Sequence, residues 1–348
     1  MSRTVALPSV IANVEQLEDL LSEPSPGAIE TMARWQGDVM ILGVGGKMGP
    51  TLARMARRAT EAAGVTRRII GVSRFSNGPL EEQLRSHGIE TIRCDLLDAE
   101  QVERLPDAPL VIAMTGMKFG ATDNAALTWG MNAYLPALIC RKFRQSRIVA
   151  FSSGNIYGLT PVRLGGSLES DPLQPFGEYA MSLMGRERMY EYFSQLYDIP
   201  MAFIRLNYAT ETRYGVLVDL AQRVAAGQPV SLDMGHLNAI WQGDANAMSL
   251  CAFDHAAVPP WLVNIAGPET LSVRRLATRL GELMKRSVTF TGSESADAFL
   301  SNAQQSFHLF GYPRVSVEHM LRWIADWVQR GGATLGKPTH FEVRDGNY

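Results

Sequence analysis

Apolar positions over the first 37 residues recur at helical spacing. In "NVEQLEDLL" they fall three and four apart, and "AIETMARW" repeats the pattern after the break "SEPSPG". Two short helices are expected, the second capped by Ser25 or a neighbour. Residues 1–37 thus read as a helical arm that packs on the core or on a partner subunit. From Asp38 the pattern changes. The apolar runs "DVMILGV", "RRIIGVSR", "IETIRCDL", "PLVIAMTG", "SRIVAFSSG" and "PMAFIRLN" are short and lack strict alternation. Amphipathic stretches separate them, among them "MGPTLARMARRATEAAG", "NAALTWGMNAYLPALICRKFRQ" with Pro136 as a candidate kink, and "GEYAMSLMGRERMYEYFSQLYD". Strands covered on both faces read as continuous apolar runs, and intervening helices connect parallel neighbours. The expectation is an α/β fold, a doubly wound parallel sheet over 38–206, with its ligand crevice beyond the carboxyl ends of the strands. After Asn207 the alternation weakens. Residues 207–348 read mainly as a smaller C-terminal substrate lobe, with "WLVNIAG" returning a strand to the sheet near 262–267.

Composition narrows the function classes. A chain of 348 residues suits one large domain or two closely packed ones. The net charge of −2 lacks the basic bias that nucleic-acid binding needs. There is no run of about 18 apolar residues, so no membrane span is expected. The first residues carry no apolar signal region. Cys94, Cys140 and Cys251 are far apart and odd in number, which reads as reduced thiols and a cytoplasmic setting. The histidines are scattered without ligand spacing, so no metal site is expected.

The segment "ILGVGGKMG" places Gly43, Gly46 and Gly49, with Lys47 and Met48 between them, where a buried strand meets a helix. Glycines there allow a tight turn, close backbone approach to a pyrophosphate and tight strand–helix packing, with helix amides facing the anion. The strand-then-helix context supports nucleotide binding. The G-x-x-G-x-x-G spacing resembles the extended short-chain dehydrogenase/reductases, the NAD-dependent epimerase/dehydratase family, over roughly residues 38–285. That resemblance implies a Rossmann-type NAD(P)-binding domain. NAD sites commonly carry an acid after the second strand; here Ser73 and Arg74 stand there. A hydroxyl and a guanidinium suit a 2′-phosphate, so NADP is favoured over NAD, with stacking of Arg74 on adenine as the other reading. By the same resemblance Asp95 and Leu96 edge the adenine, while Asp98 reads as a helix N-cap. Thr115 and Gly116 pass under the cofactor, and Asn132 is either the asparagine that holds the site's geometry or an ordinary polar helix residue.

The resemblance also implies a serine–tyrosine–lysine site. "FSSGNIYG" supplies Ser153 as donor to the substrate oxygen, with Ser152 able to exchange roles, and Tyr157 as a substrate contact. "YAMSLMGRE" keeps Tyr179, Ser182 and Glu187 at family spacing, but Leu183 stands where the lysine belongs. An ordinary tyrosine has a pKa of about 10, and a lysine one turn away lowers it. The chain has five lysines, Lys47, Lys118, Lys142, Lys285 and Lys337. Lys118 follows the fourth strand and is the candidate substitute; it equally suits a cofactor phosphate. Arg186, two turns after Tyr179 on the same helix face, could reach into the site, with a solvated surface residue as the favoured reading. In the last part, Asn207 matches a substrate-side asparagine and Asp244 a family aspartate. Arg205, Arg213 and Arg223 are candidates for an anionic substrate or ordinary surface residues, and His236 and Trp241 are candidates for the pocket wall, Trp241 equally for the core. The sequence therefore predicts an NAD(P)-dependent oxidoreductase or epimerase acting at a hydroxyl or carbonyl carbon of a sugar-like small molecule. Its alternative is a non-catalytic NAD(P)-binding sensor. A homodimer through the helices near 124–145 and 178–197 is implied by the resemblance.

Overall fold

A computed structural model of the chain describes residues 7–76, 78–118 and 123–346. The first six residues of the arm lie outside the described part. Seven strands form one sheet: β1 (Val39–Leu42), β2 (Ile69–Ser73), β3 (Glu90–Arg93), β4 (Leu110–Ala113), β5 (Arg147–Ser153), β6 (Met201–Leu206) and β7 (Trp261–Ile265). Their spatial order is β7-β6-β5-β4-β1-β2-β3, and every neighbouring pair is parallel. Val39 pairs with Ile69 on one side and Leu110 on the other. The strand order reverses between β1 and β4, which opens the crevice at their carboxyl ends.

Alternate residues of β1 serve two cores. Val39 and Ile41 pack with Leu52 and Met55 of α3 (Gly49–Ala62), while Met40 and Leu42 face the core containing Leu138, Tyr190 and Phe193. This explains the unbroken apolar runs: both faces are covered. The arm forms α1 (Val14–Leu21) and α2 (Pro26–Arg34), and the Ser25 hydroxyl caps α2 by accepting from the Ala28 N–H. Leu17, Leu21 and Met32 are fully buried, so the arm packs on the core. Short helices α4 (Leu80–Ser86) and α5 (Ala99–Glu103) flank the β2–β3 edge, and Asp98 caps α5 as expected.

The long helix anticipated after residue 123 is broken into α6 (Ala125–Trp129), a π turn (Gly130–Tyr134) and α7 (Leu135–Lys142). Pro136 sits at the start of α7. Having no N–H, it cannot bond the Asn132 carbonyl four residues back. That carbonyl instead accepts from Arg186 Nε at 3.3 Å. Arg186 belongs to α8 (Gly177–Tyr197), which runs alongside.

The second lobe gathers α9 (Val216–Ala225), α11 (Val273–Met284) and α13 (Val317–Gln329), while α10 (Gln242–Cys251) and α12 (Gln304–Phe310) pack on the sheet side, α10 against α2 and α3 and α12 against β7. Trp241 and Trp323 meet edge-on at 5.3 Å in the second lobe's core, so Trp241 is a packing residue and not a pocket wall. After α13 the chain turns back across the crevice. The Leu335 N–H donates to the Arg213 carbonyl, and the Thr339 N–H and hydroxyl both donate to Asp219 Oδ2 at 2.8 and 2.6 Å. Arg344 pairs with Asp297 further along.

Candidate active site

The glycine turn between β1 and α3 is shaped to receive a diphosphate. Gly43 has φ +87°, and a Cβ there would fall 2.6 Å from the Thr115 side chain. A Cβ on Gly49 would fall 2.3 Å from the Val44 carbonyl oxygen. Among the described residues no side chain caps α3, so its first amides are left without a side-chain acceptor at the turn. Gly45, Gly46, Lys47, Gly116 and Lys118 line that groove. The backbone cradle, the uncapped helix and two ammonium groups fit a dinucleotide's pyrophosphate. Met48, which precedes α3, is buried at the same turn. Ser73, at the end of β2, lies against Gly45, whose Cβ would reach within 2.5 Å of the Ser73 hydroxyl. Arg74 beside it is exposed.

A narrower chamber of about 180 Å³ continues from the groove, lined by Ser152, Ser153, Tyr179, Asn207 and Tyr214 with both lysines. The Ser153 hydroxyl donates to Asn155 Oδ1 at 3.1 Å and accepts from the Asn155 N–H, and it lines the same chamber as Tyr179. The Ser152 hydroxyl is buried with no hydrogen-bond partner among the described residues. Burial raises the Tyr179 pKa, while the Arg186 charge and the Ser153 hydrogen bond oppose the rise. Lys118 Nζ stands 5.9 Å from the Tyr179 ring centre and donates to the Thr339 carbonyl at 3.3 Å. Burial pulls its pKa down to about 8, against the Asp219 carboxylate. Lys47 Nζ reaches across the crevice, donates to the Ala209 carbonyl at 2.6 Å and lies 3.9 Å over the Tyr214 ring. Its pKa falls to about 7, chiefly through burial, despite Glu211.

Several expectations are not met. Tyr157 does not line the chamber: its hydroxyl accepts from Arg205 at 2.8 Å and donates to Asn264 Oδ1 at 2.8 Å. Burial pushes this phenol up to about 12, and it serves the interior network. Arg205 pairs inside the protein with Glu187, Arg213 with Glu211 and Glu18, and Arg223 with Glu342, so none is free for a substrate anion. Asp95 and Leu96 do not line the groove. Asp95 accepts from the Leu97 N–H, and Leu96 lies in the core. Asp244 accepts from the Val315 N–H away from the chamber. His236 lies on an open surface groove of the second lobe. Arg186 is not solvated at all, being 6% exposed. Leu183, at 2% exposed, is a buried residue of α8. Asn132 is buried in the π turn; its side-chain amide bonds both the N–H and the carbonyl of Met117 and the Ser182 hydroxyl. Tyr214 and Thr339 were missed because no local motif marks them; the fold alone brings them to the chamber.

Comparison with known proteins agrees with this geometry. Among solved structures, the chain is similar to the UDP-glucose 4-epimerase of Thermus thermophilus in complex with NAD: 19% identity, TM-score 0.68, covering 84% of this chain and 99% of that one. The UDP-glucuronic acid 4-epimerase of Bacillus cereus, in complex with UDP-glucuronic acid and NAD, gives 15% identity and a TM-score of 0.69, over 84% and 99% of the two chains. The dTDP-glucose 4,6-dehydratase of Bacillus anthracis, also with NAD, gives 14% and 0.71, over 85% and 97%. These likenesses establish the fold. No curated protein matches the chain at a significant level. The family model for the NAD dependent epimerase/dehydratase family matches residues 39–240, from β1 through the glycine turn, both serines and Tyr179. The chain belongs to the NAD dependent epimerase/dehydratase family.

Proposed function

We propose that the protein is an NAD(P)-dependent oxidoreductase or epimerase acting at a hydroxyl or carbonyl carbon of a sugar-like substrate. The observation that carries this reading is that Ser153 and Tyr179 line one chamber at the end of the glycine-turn groove, with a Ser152 hydroxyl that has no partner among the described residues beside them. Gly43, Gly46, Lys47, Met48 and Gly49 hold the cofactor's diphosphate, Thr115 and Gly116 form its floor, and Ser73 and Arg74 receive the adenosine end. The pairing of hydroxyl and guanidinium there favours NADP. The dinucleotide supplies the hydride acceptor and donor when bound. Tyr179 holds or moves the proton at the substrate oxygen; Ser153, with Ser152, donates a hydrogen bond to that oxygen. Asn207 borders the substrate, and Lys118 lends part of the positive charge that Leu183 does not supply. A homodimer through α6, the π turn, α7 and α8 is supported by exposed apolar residues along them, including Tyr134 (52%) of the π turn and Tyr192 (58%) of α8.

A second reading, a cofactor-binding sensor without turnover, is favoured by the raised Tyr179 pKa together with Leu183. The test begins with denaturing freshly purified protein, identifying released nucleotide, and titrating the stripped protein with NADPH and NADH. Micromolar or tighter binding, tighter for NADPH, is expected. Turnover on a sugar-nucleotide panel should then fall about 100-fold or more in Tyr179→Phe. Binding without any turnover selects the sensor, and no binding overturns both readings.

A further inference from the structure

We propose that the buried guanidinium of Arg186 is the positioning cation of this site, taking over the electrostatic task for which Leu183 is unfit; this rests on Tyr179 being the proton-handling group. Arg186 lies three residues after Leu183 and seven after Tyr179 on α8. Residues three apart share a helix face, and side chains lean toward the N-terminus. A long side chain at 186 therefore lies back over the turn where the lysine is missing.

The contacts fix it there. Nε donates to the Asn132 carbonyl at 3.3 Å, one terminal nitrogen donates to the Phe151 carbonyl at 2.9 Å, and the other donates to Asn132 Oδ1. Phe151 immediately precedes Ser152 and Ser153, and Asn132 holds the backbone next to Lys118. A Cβ on Gly116 would come within 2.8 Å of the guanidinium, so the group lies close against that glycine. Gly116 also lines the dinucleotide groove. The charge thus sits one backbone thickness beneath the cofactor floor.

No carboxylate pairs with Arg186 among the described residues; its neighbour Glu187 is engaged by Arg205 through both oxygens. Neutral carbonyls hold the cation without cancelling its charge. Burying an unneutralised guanidinium is costly, and the cost is rational where the charge acts on something. The ionisable groups in its field are Tyr179, Tyr190 and Glu187, all on α8. The π turn and β5 present only neutral groups to it, Asn132 and the Phe151 carbonyl. Around the Tyr179 phenol stand Ser153, Lys118 and Tyr214, and Arg186 is the first influence opposing the effect of burial.

The test reads the phenol directly. A polyfluorinated tyrosine, more acidic than tyrosine, is incorporated at position 179 and titrated by fluorine NMR without cofactor or substrate. Arg186→Gln should raise its pKa by about 1–3 units, Arg186→Lys should largely preserve it, and adding Leu183→Lys to Arg186→Gln should bring it back. Gly116→Ala, whose methyl displaces the guanidinium, should also raise it, and it serves if Arg186→Gln does not fold. A phenol that titrates unchanged in a folded Arg186→Gln or Gly116→Ala protein overturns the inference, as does failure of Leu183→Lys to restore it. Turnover plays no part in this readout. An Arg186-dependent phenol in an inactive protein would refute the catalytic reading alone, and an active enzyme with an indifferent phenol would refute this inference alone.

Discussion

Lys47 and Lys118 carry ammonium groups into a crevice where burial works against charge, and this fixes how the site responds to pH. Their pKa values fall to about 7 and about 8, with burial the leading cause for each. A bound diphosphate favours the protonated forms. Dinucleotide affinity should therefore fall as pH rises through this range, by about tenfold or more between about pH 6 and 9, and calorimetry should show the slope flattened in Lys47→Met. Stability runs the other way. Between a folded value of about 7 and the ordinary 10.5, the unfolded chain binds the extra proton at Lys47, so the free energy of unfolding rises with pH there. Lys47→Met should remove that dependence and raise the melting temperature near neutral pH while weakening the cofactor, a stability–function exchange. The sequence marked both lysines by position, since one lies in the glycine turn and the other follows β4. It put Arg186 on the Tyr179 face but could not decide between reaching in and solvation. Spacing places that side chain on a face of α8, but only the packed π turn shows the face to be interior.

At the scale of elements, α8 is tied to the sheet by a buried ion pair. Glu187 and Arg205 of β6 meet at 2.7 Å with both side chains almost fully buried, and Arg205 also holds the Tyr157 hydroxyl. Removing one partner leaves a buried, unneutralised charge. Arg205→Leu should lower stability by about 3–5 kcal/mol in chemical denaturation. Glu187→Gln/Arg205→Met should recover most of that loss, and substrate KM should stay near the native value in the double variant. A selective rise in KM would instead restore the substrate-anion role suggested by the sequence. The strands and helices themselves were legible because a sheet covered on both faces leaves continuous apolar runs. The pairings of Arg205, Arg213 and Arg223 were not, since they depend on partners that sequence distance conceals, 18 residues for Glu187, 195 for Glu18 and 119 for Glu342, and on a turn that brings Glu211 back onto Arg213. Pro136 announced an irregularity, but its form was hidden. The π turn releases the Asn132 carbonyl to a side chain of another helix.

At the scale of the whole molecule, the crevice is closed from outside by the residues that follow α13. Leu335 and Lys337 line the cofactor groove, and Thr339 lines the reaction chamber. Thr339 accepts from Lys118 and donates twice to Asp219, so it links β4's outgoing loop to α9 across the opening. Phe341 is buried in the second lobe's core and anchors the crossing. Two separable effects follow from removing residues 331–348. Losing Phe341 takes away one buried aromatic, which costs about 3–5 kcal/mol when cut to alanine. Losing the Thr339 carbonyl and the cover over Lys118 admits water to the chamber, which weakens each charge–charge interaction inside it. Truncation after Arg330 should therefore leave the sheet folded by circular dichroism, lower the melting temperature, and weaken dinucleotide binding about tenfold or more. Phe341→Ala in the full chain supplies the control, because it loosens the anchor while keeping Lys337 and Thr339. If binding weakens in the truncation but much less in Phe341→Ala, the covering residues themselves hold the ligand. If both weaken alike, the segment acts through its anchor. If truncation leaves affinity unchanged, the crossing is only a fastening between the lobes.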